Sequence, residues 1–333
     1  MDRLLAGRIE ALGHRMPATE VKRLRHPWID LYLKMESGNP SGSAKDRAAY
    51  WILREAVRRG EVNRDTTVVE SSSGNFAISL AHFCRRLGIR FVPVIDPNVN
   101  EPVERSLRAL CGRVEKVEEP DDAGGFLLTR LRRVAELVAE LDDVYWPNQY
   151  ANPDGAQGHF ELTGRELIGQ LGRIDYLFVG VGTGATIAGL SQRITDPSNG
   201  GAVVAVDVAG SVIFGGPPRR RRIPGIGSSI QPPLVRQADI AEVVTVSEWD
   251  EVLGCYQLLR EHGVFAGGST GCVYTAVNRY FAGHRGPRPV VAFLCADGGE
   301  PYRDTVYDPD WVAANITATG QLPKAPTELI LPA

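Results

Sequence analysis

Strand-like and helix-like segments alternate along most of this chain. Residues 29–35 and 90–95 have the pattern of strands, whereas residues 46–59 and 76–87 have the pattern of helices. In the second half, a buried strand at residues 176–181 runs into a Gly-rich turn and another helix. Repeated strand-then-helix units predict an α/β fold with mostly parallel sheets and helices on both faces. Further helices are predicted at residues 122–141 and 158–171, and a long loop at residues 213–233.

The composition is that of a globular protein. Its 333 residues are 43% hydrophobic and 23% charged, which suits two domains of ordinary size or one large one. The net charge of −3 gives no reason to expect a nucleic-acid or membrane partner. No apolar run approaches the ~20 residues that a membrane helix needs, and the N-terminus lacks a secretory pattern. We therefore expect a cytoplasmic protein.

The cysteines are five in number, widely spaced, and include no C-x-x-C pair. This arrangement argues against a disulfide framework and against a zinc site, and it favours a reducing compartment. We expect no metal site.

One lysine lies in an unusual setting, the segment S-G-S-A-K-D-R at residues 41–47. The chain has five lysines among its 37 basic residues, so arginine carries the ordinary surface charge. Lys45 has small, flexible neighbours, hydroxyl groups and a helix directly after it, which suits a lysine that forms a Schiff base. The alternative is a capped helix with a solvated lysine in its first turn.

A second segment, S-S-S-G-N at residues 71–75, lies between a predicted strand and a predicted helix. Hydroxyl and backbone N–H groups at a helix N-terminus bind carboxylates, and Asn75 can reach a phenolic oxygen. The alternative is an ordinary helix cap, since Ser and Asn are favoured in caps.

A third segment, G-V-G-T-G-A-T at residues 180–186, follows a strand and opens a helix. Its glycines let the backbone approach a phosphate, and its N–H and threonine hydroxyl groups can hold the oxygens. It lacks the Gly-Lys-Ser/Thr of a Walker loop and does not fit the dinucleotide fingerprint.

Together, a lysine nucleophile, a carboxylate-binding loop and a phosphate cradle are the parts of a pyridoxal 5′-phosphate (PLP) site. In their order and spacing the motifs resemble the fold-type II PLP enzymes of the cysteine synthase-like group. The motifs that carry this resemblance are G-N-P-S-G-S-A-K-D-R (38–47), S-S-S-G-N (71–75), N-Q-Y-A-N-P (148–153) and G-T-G-A-T (182–186).

Four other segments resemble a branch of that group, the synthases of siderophore pathways. They are E-E-P-D-D-A-G-G-F-L-L-T-R (118–130), Y-W-P-N-Q-Y-A-N (145–152), A-G-S-V-I-F-G (209–215) and G-V-F-A-G-G-S-T-G (263–271). This resemblance implies β-replacement on O-phospho-L-serine with L-glutamate as the amine nucleophile. The product would be N-(2-amino-2-carboxyethyl)-L-glutamate, a precursor of 2,3-diaminopropionate.

The resemblance also implies roles for individual residues. Lys45 would be the Schiff-base lysine and proton shuttle, and Asn75 would contact the cofactor's 3-hydroxyl group. The substrate carboxylate would be held by Ser72, Ser73, Gly74 and Gln149. The cofactor phosphate would be held by Gly182, Thr183, Gly184, Ala185 and Thr186.

Two further residues, Arg130 and Tyr150, are candidates for binding the second substrate. An incoming glutamate brings extra carboxylates, which match the forked guanidinium of arginine. The alternative for Arg130 is a surface position on a long helix. The four arginines at residues 219–222 can steer a phosphorylated substrate, although a charge run is more often a solvated loop.

One position departs from the family pattern. Where the family has a small hydroxyl residue opposite the pyridine nitrogen, A-D-G-G-E-P-Y (296–302) places Asp297. A carboxylate there would favour a protonated ring nitrogen and a stronger electron sink. A shift of the alignment by one residue is the alternative.

The fold implied by the resemblance is the two-domain, tryptophan synthase β-like architecture. Residues 1–47 and 154–333 would form the large PLP-binding domain, and residues 48–153 the small mobile substrate-binding domain. The family further implies small amino-acid substrates and a homodimer. The alternative functions are an O-acetylserine or O-phosphoserine sulfhydrylase, a cystathionine synthase-type enzyme, a non-catalytic PLP-fold or sensor protein and, as a lesser possibility, a serine or threonine dehydratase or racemase.

Overall fold

A computed structural model describes residues 2–120 and 125–317 of the chain. The strands, numbered in chain order, are β1 (Val21–Leu24), β2 (Asp30–Lys34), β3 (Thr67–Ser71), β4 (Arg90–Ile95), β5 (Glu115–Lys116), β6 (Val144–Tyr145), β7 (Tyr176–Gly180), β8 (Ala202–Val208), β9 (Glu242–Val246) and β10 (Val290–Leu294). The α-helices are α1 (Arg3–Gly13), α2 (Lys45–Arg59), α3 (Asn75–Leu87), α4 (Glu101–Leu110), α5 (Leu127–Glu140), α6 (Pro153–Gly158), α7 (Arg165–Leu171), α8 (Ala185–Ile194), α9 (Glu248–His262), α10 (Gly268–Tyr280) and α11 (Pro309–Asn315).

The strands form two sheets. One sheet has six strands in the order β1-β2-β10-β7-β8-β9, in which β1 pairs antiparallel with β2 and the other neighbours pair parallel. The other has four parallel strands in the order β5-β4-β3-β6. This arrangement confirms the predicted α/β fold with mostly parallel sheets.

Burial of the strands explains their composition. Every residue of β3 is buried, and so is every residue of β8 after the first. Strands covered on both faces are expected to be nearly continuous apolar runs, as these are. The parallel pairing also brings the carboxyl ends of the strands to one edge of each sheet, where ligands bind in open α/β folds.

The N-terminal helix packs beside the four-stranded sheet. Leu5 and Ile9 of α1 lie in one buried cluster with Leu53 of α2 and Phe83 of α3. Helix α2 therefore contacts the elements around the smaller sheet. The loop that leads to its first residue, Lys45, comes from the larger sheet. The division of the chain into domains at residues 48–153 stays a prediction.

Two predicted helices differ in extent from the observed ones. The helix predicted from residue 122 begins at Leu127, while residues 121–124 lie outside the described part of the chain. The helix predicted at residues 158–171 begins earlier, with α6, and contains a π-helical turn at His159–Gly164 before α7. The predicted long loop is confirmed, because residues 213–232 contain neither helix nor strand.

Within the described residues, no helix has both the length and the apolar character needed to cross a bilayer. The five cysteines are unpaired, and four of them are buried.

Candidate active site

Lys45 begins α2 at the edge of the larger sheet. The preceding residues pair with the segment after β10, since the Ala44 N–H donates to the Ala296 carbonyl at 2.7 Å and Ser43 bridges Asp297. The Lys45 Nζ lies 3.4 Å from the Thr183 Oγ1. Burial lowers the pKa of Lys45, and the negative charge of Asp297 opposes that shift. A lysine with a lowered pKa is a better nucleophile and proton acceptor near neutral pH.

A buried ion cluster fixes the helix that starts at Lys45. Arg47 is 1% exposed, and its Nε lies 3.1 Å from a carboxylate oxygen of the buried Glu36. Its Nη1 lies 2.9 Å from Glu166, which also pairs with the buried Lys34 at 2.6 Å. The cluster connects β2, α2 and α7, and so fixes the start of α2, where Lys45 lies.

Asp297 is a buried carboxylate beside this lysine. Its Oδ2 accepts hydrogen bonds from Asn75 Nδ2 at 2.7 Å and from the Tyr302 hydroxyl at 2.9 Å. Its Oδ1 is buried and has no hydrogen-bond partner among the described residues. Burial raises the pKa of Asp297, while Asn75, Tyr302 and the Lys45 charge oppose that rise. A cation at Oδ1 would favour the ionised form.

The S-S-S-G-N loop connects β3 with α3. The Ser72 Oγ accepts from the Ala77 N–H at 3.2 Å and from the Gly74 N–H at 3.4 Å, although the N-cap residue of α3 is Gly74. Asn75 instead reaches across to Asp297, which is 222 positions away in the chain. The loop thus joins the smaller sheet to the Lys45 region.

Ser73 brings the loop to Arg130. The Arg130 Nη1 donates to the Ser73 Oγ at 3.0 Å, and the Ser73 Oγ donates to Asp96 at 3.0 Å. The Arg130 Nε lies 3.1 Å from the same Asp96 carboxylate, and the Arg130 side chain is only 12% exposed. Arg130 is therefore part of the site region and is not a surface residue on the outside of α5.

The N-Q-Y-A-N-P segment adjoins the same loop. The Gln149 Nε2 donates to the Ser71 carbonyl at 2.9 Å, and the Gln149 N–H donates to the Glu70 carboxylate at 3.2 Å. Burial raises the pKa of Glu70 to about 7. Burial also raises the pKa of the Tyr150 phenol, and the nearby Arg130 guanidinium opposes that rise.

The predicted phosphate cradle, Gly182 to Thr186, forms the turn between β7 and α8. Gly184 has φ +92°, and a Cβ there would lie 2.9 Å from the Val235 side chain, so the turn requires glycine. Helix α8 begins at Ala185 without a side-chain cap, which leaves its first N–H groups for an anion.

The side chain of His159 contacts the last residue of the predicted phosphate cradle, Thr186. The His159 Nε2 lies 3.2 Å from the Thr186 Oγ1, and its Nδ1 lies 3.1 Å from the Thr163 Oγ1. Burial lowers the pKa of His159 to about 3, so the ring is neutral at physiological pH. Hydrogen bonds at both ring nitrogens fix the orientation of the His159 ring beside Thr186.

The sequence interpretation did not include Asp96, Glu70 and Tyr302. Asp96 directly follows β4, and Glu70 lies at the carboxyl end of β3, so their positions after predicted strands were an available signal. Tyr302 had no such signal, because its contact with Asp297 depends on a turn after β10.

The profile of the family described as "Pyridoxal-phosphate dependent enzyme" matches residues 9–296 of the chain. The chain belongs to this family. It is a PLP-dependent enzyme, which confirms the predicted cofactor and the predicted fold-type II architecture.

Individual relatives agree with the family. The N-(2-amino-2-carboxyethyl)-L-glutamate synthase of Ralstonia nicotianae is 40% identical over 307 residues, which cover 91% of this chain and 90% of that protein. An O-acetylserine dependent cystathionine beta-synthase from Helicobacter pylori has a TM-score of 0.79 at 24% identity, covering 90% of this chain and 96% of that one. A hydrogen sulfide-producing enzyme from Fusobacterium nucleatum has a TM-score of 0.80 at 23% identity, with 90% and 98% covered.

The described residues fit pyridoxal phosphate. The turn before α8 offers uncapped N–H groups to a phosphate. The partnerless Oδ1 of Asp297 would accept a hydrogen bond from a protonated ring nitrogen. Lys45 lies between these two features, in contact with Thr183 and within the field of Asp297.

Proposed function

We propose that this enzyme catalyses β-replacement on O-phospho-L-serine with L-glutamate, giving N-(2-amino-2-carboxyethyl)-L-glutamate and phosphate. The observation that carries the proposal is the 40% identity, over 91% of the chain, to a synthase of that name. The contact of Arg130 with Ser73 supports it, because it puts a cation beside the loop that we assign to the amino-acid donor.

In this proposal the cofactor is held by three groups. Lys45 would bind it covalently through Nζ, the turn at residues 182–186 would hold its phosphate, and Asn75 and Asp297 would contact its ring. When bound, pyridoxal phosphate withdraws electrons from the Cα of the attached amino acid, so that the Cα proton can leave and the β-substituent can be expelled.

The donor carboxylate would bind at the loop after β3. Ser72, Ser73 and Gly74 offer hydroxyl and N–H groups there, and Gln149 lies against the same loop through its bond to Ser71. We propose that the small domain, residues 48–153, closes over this carboxylate and excludes water from the reacting atoms.

Lys45 would move the proton. Its free Nζ would take the Cα proton of the donor as phosphate leaves from the β-carbon. After the amine nucleophile adds at that carbon, the same Nζ would return the proton to Cα. Its lowered pKa favours the neutral amine that the first step requires.

The acceptor would be bound by Arg130 and Tyr150. Arginine binds carboxylates in a forked geometry, and Arg130 has a buried setting next to Ser73 and Tyr150. The α-amine of L-glutamate would then face the β-carbon of the donor. Asp96 would hold Arg130 in place through the 3.1 Å contact.

A sulfhydrylase or cystathionine synthase-type activity is the second candidate, favoured by the similarity in fold to enzymes with those names. A competition assay separates the two. The purified enzyme is incubated with O-phospho-L-serine and equal concentrations of L-glutamate and sulfide. The products are identified and compared in amount by mass spectrometry. O-acetyl-L-serine replaces the donor in a parallel reaction to identify the leaving group.

We expect N-(2-amino-2-carboxyethyl)-L-glutamate to dominate with the phosphorylated donor. Mainly cysteine would refute the proposal and would leave Arg130 and Tyr150 without their roles. Lys45→Ala should abolish turnover with either nucleophile, while Lys324→Ala, a lysine outside the described residues, serves as the substitution control. Full turnover in Lys45→Ala would contradict the mechanism.

We also propose that the enzyme is a cytoplasmic homodimer that supplies the precursor of the 2,3-diaminopropionate used in a siderophore or peptide natural product. The family resemblance is the support for this part. Size-exclusion chromatography with light scattering tests the oligomeric state, and a mass of about 36 kDa would contradict it.

A further inference from the structure

The arginine run at residues 219–222 is not uniform. Arg219, Arg220 and Arg222 are exposed, whereas Arg221 is half-buried. The Arg221 Nη1 donates to the carbonyl of Gly210 at 2.9 Å and to that of Ser228 at 3.3 Å. All three of its hydrogen-bond acceptors, the third being the Ser229 hydroxyl, are neutral. Backbone carbonyls thus orient this guanidinium without neutralising it.

Arg221 has no carboxylate within ion-pair distance in the part of the chain that the structure describes. Asp207 and Glu248 are the acidic groups that act on it from further away. Both have other partners, because the Asp207 Oδ1 accepts from the Val208 N–H at 2.8 Å and the Glu248 Oε1 accepts from the Ile223 N–H at 2.8 Å. Burial accordingly lowers the pKa of Arg221. A partly desolvated, unpaired cation is costly unless an anion joins it.

The position of Arg221 puts it at the substrate edge of the larger sheet. Gly210 lies just beyond the carboxyl end of β8, and the Gly227 N–H donates to the Val181 carbonyl at 2.8 Å. The loop that carries Arg221 is thereby tied to the turn assigned to the cofactor phosphate. Ligands of open α/β sheets bind at this edge.

Arg221 also lies near the candidate acceptor site. The Tyr150 phenol is close enough to act electrostatically on both Arg221 and Arg130. The short 3-10 helix that follows this loop, Pro233–Gln237, contacts the same residue, since the Leu234 N–H donates to the Tyr150 backbone carbonyl at 3.4 Å. Tyr150 is therefore near one arginine that is paired with Asp96 and one that is unpaired.

We propose that Arg221 binds a carboxylate of the acidic second substrate and so helps to select a dicarboxylic amine over a neutral nucleophile. The inference rests on the proposed function. L-Glutamate carries two carboxylates, and two guanidinium groups around Tyr150 match them, one on α5 and one on the loop after β8. Arg221 is a specificity-determining residue in this arrangement and does not take part in the bond changes.

The test compares Arg221→Gln with Arg219→Gln, a matched change at an exposed position of the same run. Steady-state kinetics of the holoenzyme are measured at varied L-glutamate with saturating O-phospho-L-serine. We expect Arg221→Gln to raise the KM for L-glutamate about tenfold or more, as for loss of a charge-assisted hydrogen bond, with a smaller effect on kcat. Arg219→Gln should stay within about twofold of wild type on the surface-charge argument. Arg221→Lys, which keeps the charge, should be intermediate.

A second measurement separates the two anionic substrates. O-Phospho-L-serine is titrated alone, and its binding is followed by the change in cofactor absorbance. Arg221→Gln should leave this titration unchanged, whereas a weakened donor would mean that Arg221 binds the phosphate and would overturn the inference. Equal KM values for the two glutamine variants would also overturn it.

Failure of the proposed function gives a different result. A wild-type enzyme that makes no N-(2-amino-2-carboxyethyl)-L-glutamate refutes both, while glutamate-dependent activity that is insensitive to Arg221 refutes the inference alone. Circular dichroism and the thermal midpoint check folding. If Arg221→Gln does not fold, Arg221→Lys decides, and an unchanged KM for L-glutamate in that variant contradicts the proposed contact between the Arg221 guanidinium and the carboxylate.

Discussion

Removing the charge of Glu36 should destabilise the enzyme strongly. Glu36 is fully buried and accepts hydrogen bonds from Thr19 at 2.7 Å, Asn39 at 2.9 Å and the Arg47 Nε at 3.1 Å. In Glu36→Gln the Arg47 guanidinium keeps Glu166 but loses its buried partner. Breaking a buried ion pair from one side costs ~3–5 kcal/mol in the free energy of unfolding. We expect about 3 kcal/mol, because Glu166 remains.

Urea unfolding measures this cost. With an m-value of about 3 kcal/mol per molar, the loss corresponds to a midpoint shift of about 1 M. The matched control is Glu61→Gln, because Glu61 pairs with Arg59 at 3.0 Å while both side chains are more than 40% exposed. An exposed pair contributes less than about 1 kcal/mol, so the control should shift the midpoint by less than about 0.3 M.

The pH dependence gives a second check. Burial alone would raise the pKa of Glu36, but Arg47 and the hydrogen bonds outweigh burial and lower it. A group with a lowered pKa in the folded state stabilises above its ordinary pKa, and that contribution is lost as the pH falls. The difference between wild type and Glu36→Gln should therefore shrink in acid. Equal midpoint shifts for the buried and exposed variants would refute this reasoning.

Two further predictions concern the cofactor turn and a second buried acid. Gly184→Ala should weaken PLP binding at least tenfold, because φ is +92° and the new Cβ would lie 2.9 Å from Val235. Equilibrium dialysis measures the binding. The control is Gly169→Ala, because a Cβ at that position would meet nothing within 4 Å. Burial raises the pKa of Glu251, whose carboxylate oxygens have no hydrogen-bond partner among the residues that the structure describes, well above its ordinary value. The wild type should thus lose stability as the pH rises above about 5, and Glu251→Gln should remove that loss. Thermal midpoints at pH 6 and pH 8 decide, and parallel changes in both proteins would contradict the prediction.

Local patterns were sufficient to predict much of this fold. Strand β4 has the predicted bounds, and α3 ends at the predicted Leu87, just before Gly88, whose φ is +77°. Such elements can be predicted from the sequence because each has a local pattern. A strand buried on both faces is a continuous apolar run, and a helix often ends at a glycine in the left-handed conformation. Strand β9 was not predicted, since it lies at the sheet edge and most of its residues are exposed. Its pattern carries little information about burial.

In the candidate site too, some residues have a local sequence pattern and others do not. The residues assigned to the cofactor lie in short motifs, because a turn that holds a phosphate requires particular residues at adjacent positions. The groups around them depend on tertiary contacts instead. Asp297 meets Asn75 across 222 positions, and Glu251 packs against Gly268 only because α9 and α10 are neighbours. Asp297 stands out in the sequence only through the family resemblance, and no local pattern predicts its contact with Asn75 or the packing of Glu251.

This division bears on how one scaffold can serve different nucleophiles. Buried contacts hold the start of α2, where Lys45 lies, and the turn at residues 182–186. Substitutions there would therefore reduce stability as well as cofactor binding. Arg130 and Arg221 approach Tyr150 from a helix and a long loop, so neither residue belongs to a strand of the two sheets. Nucleophile preference can therefore change through these loop and helix positions while the chemistry at Lys45 stays the same. On this argument, similarity of fold to enzymes with other names does not identify the nucleophile, and the proposed preference for L-glutamate depends on the charge around Tyr150.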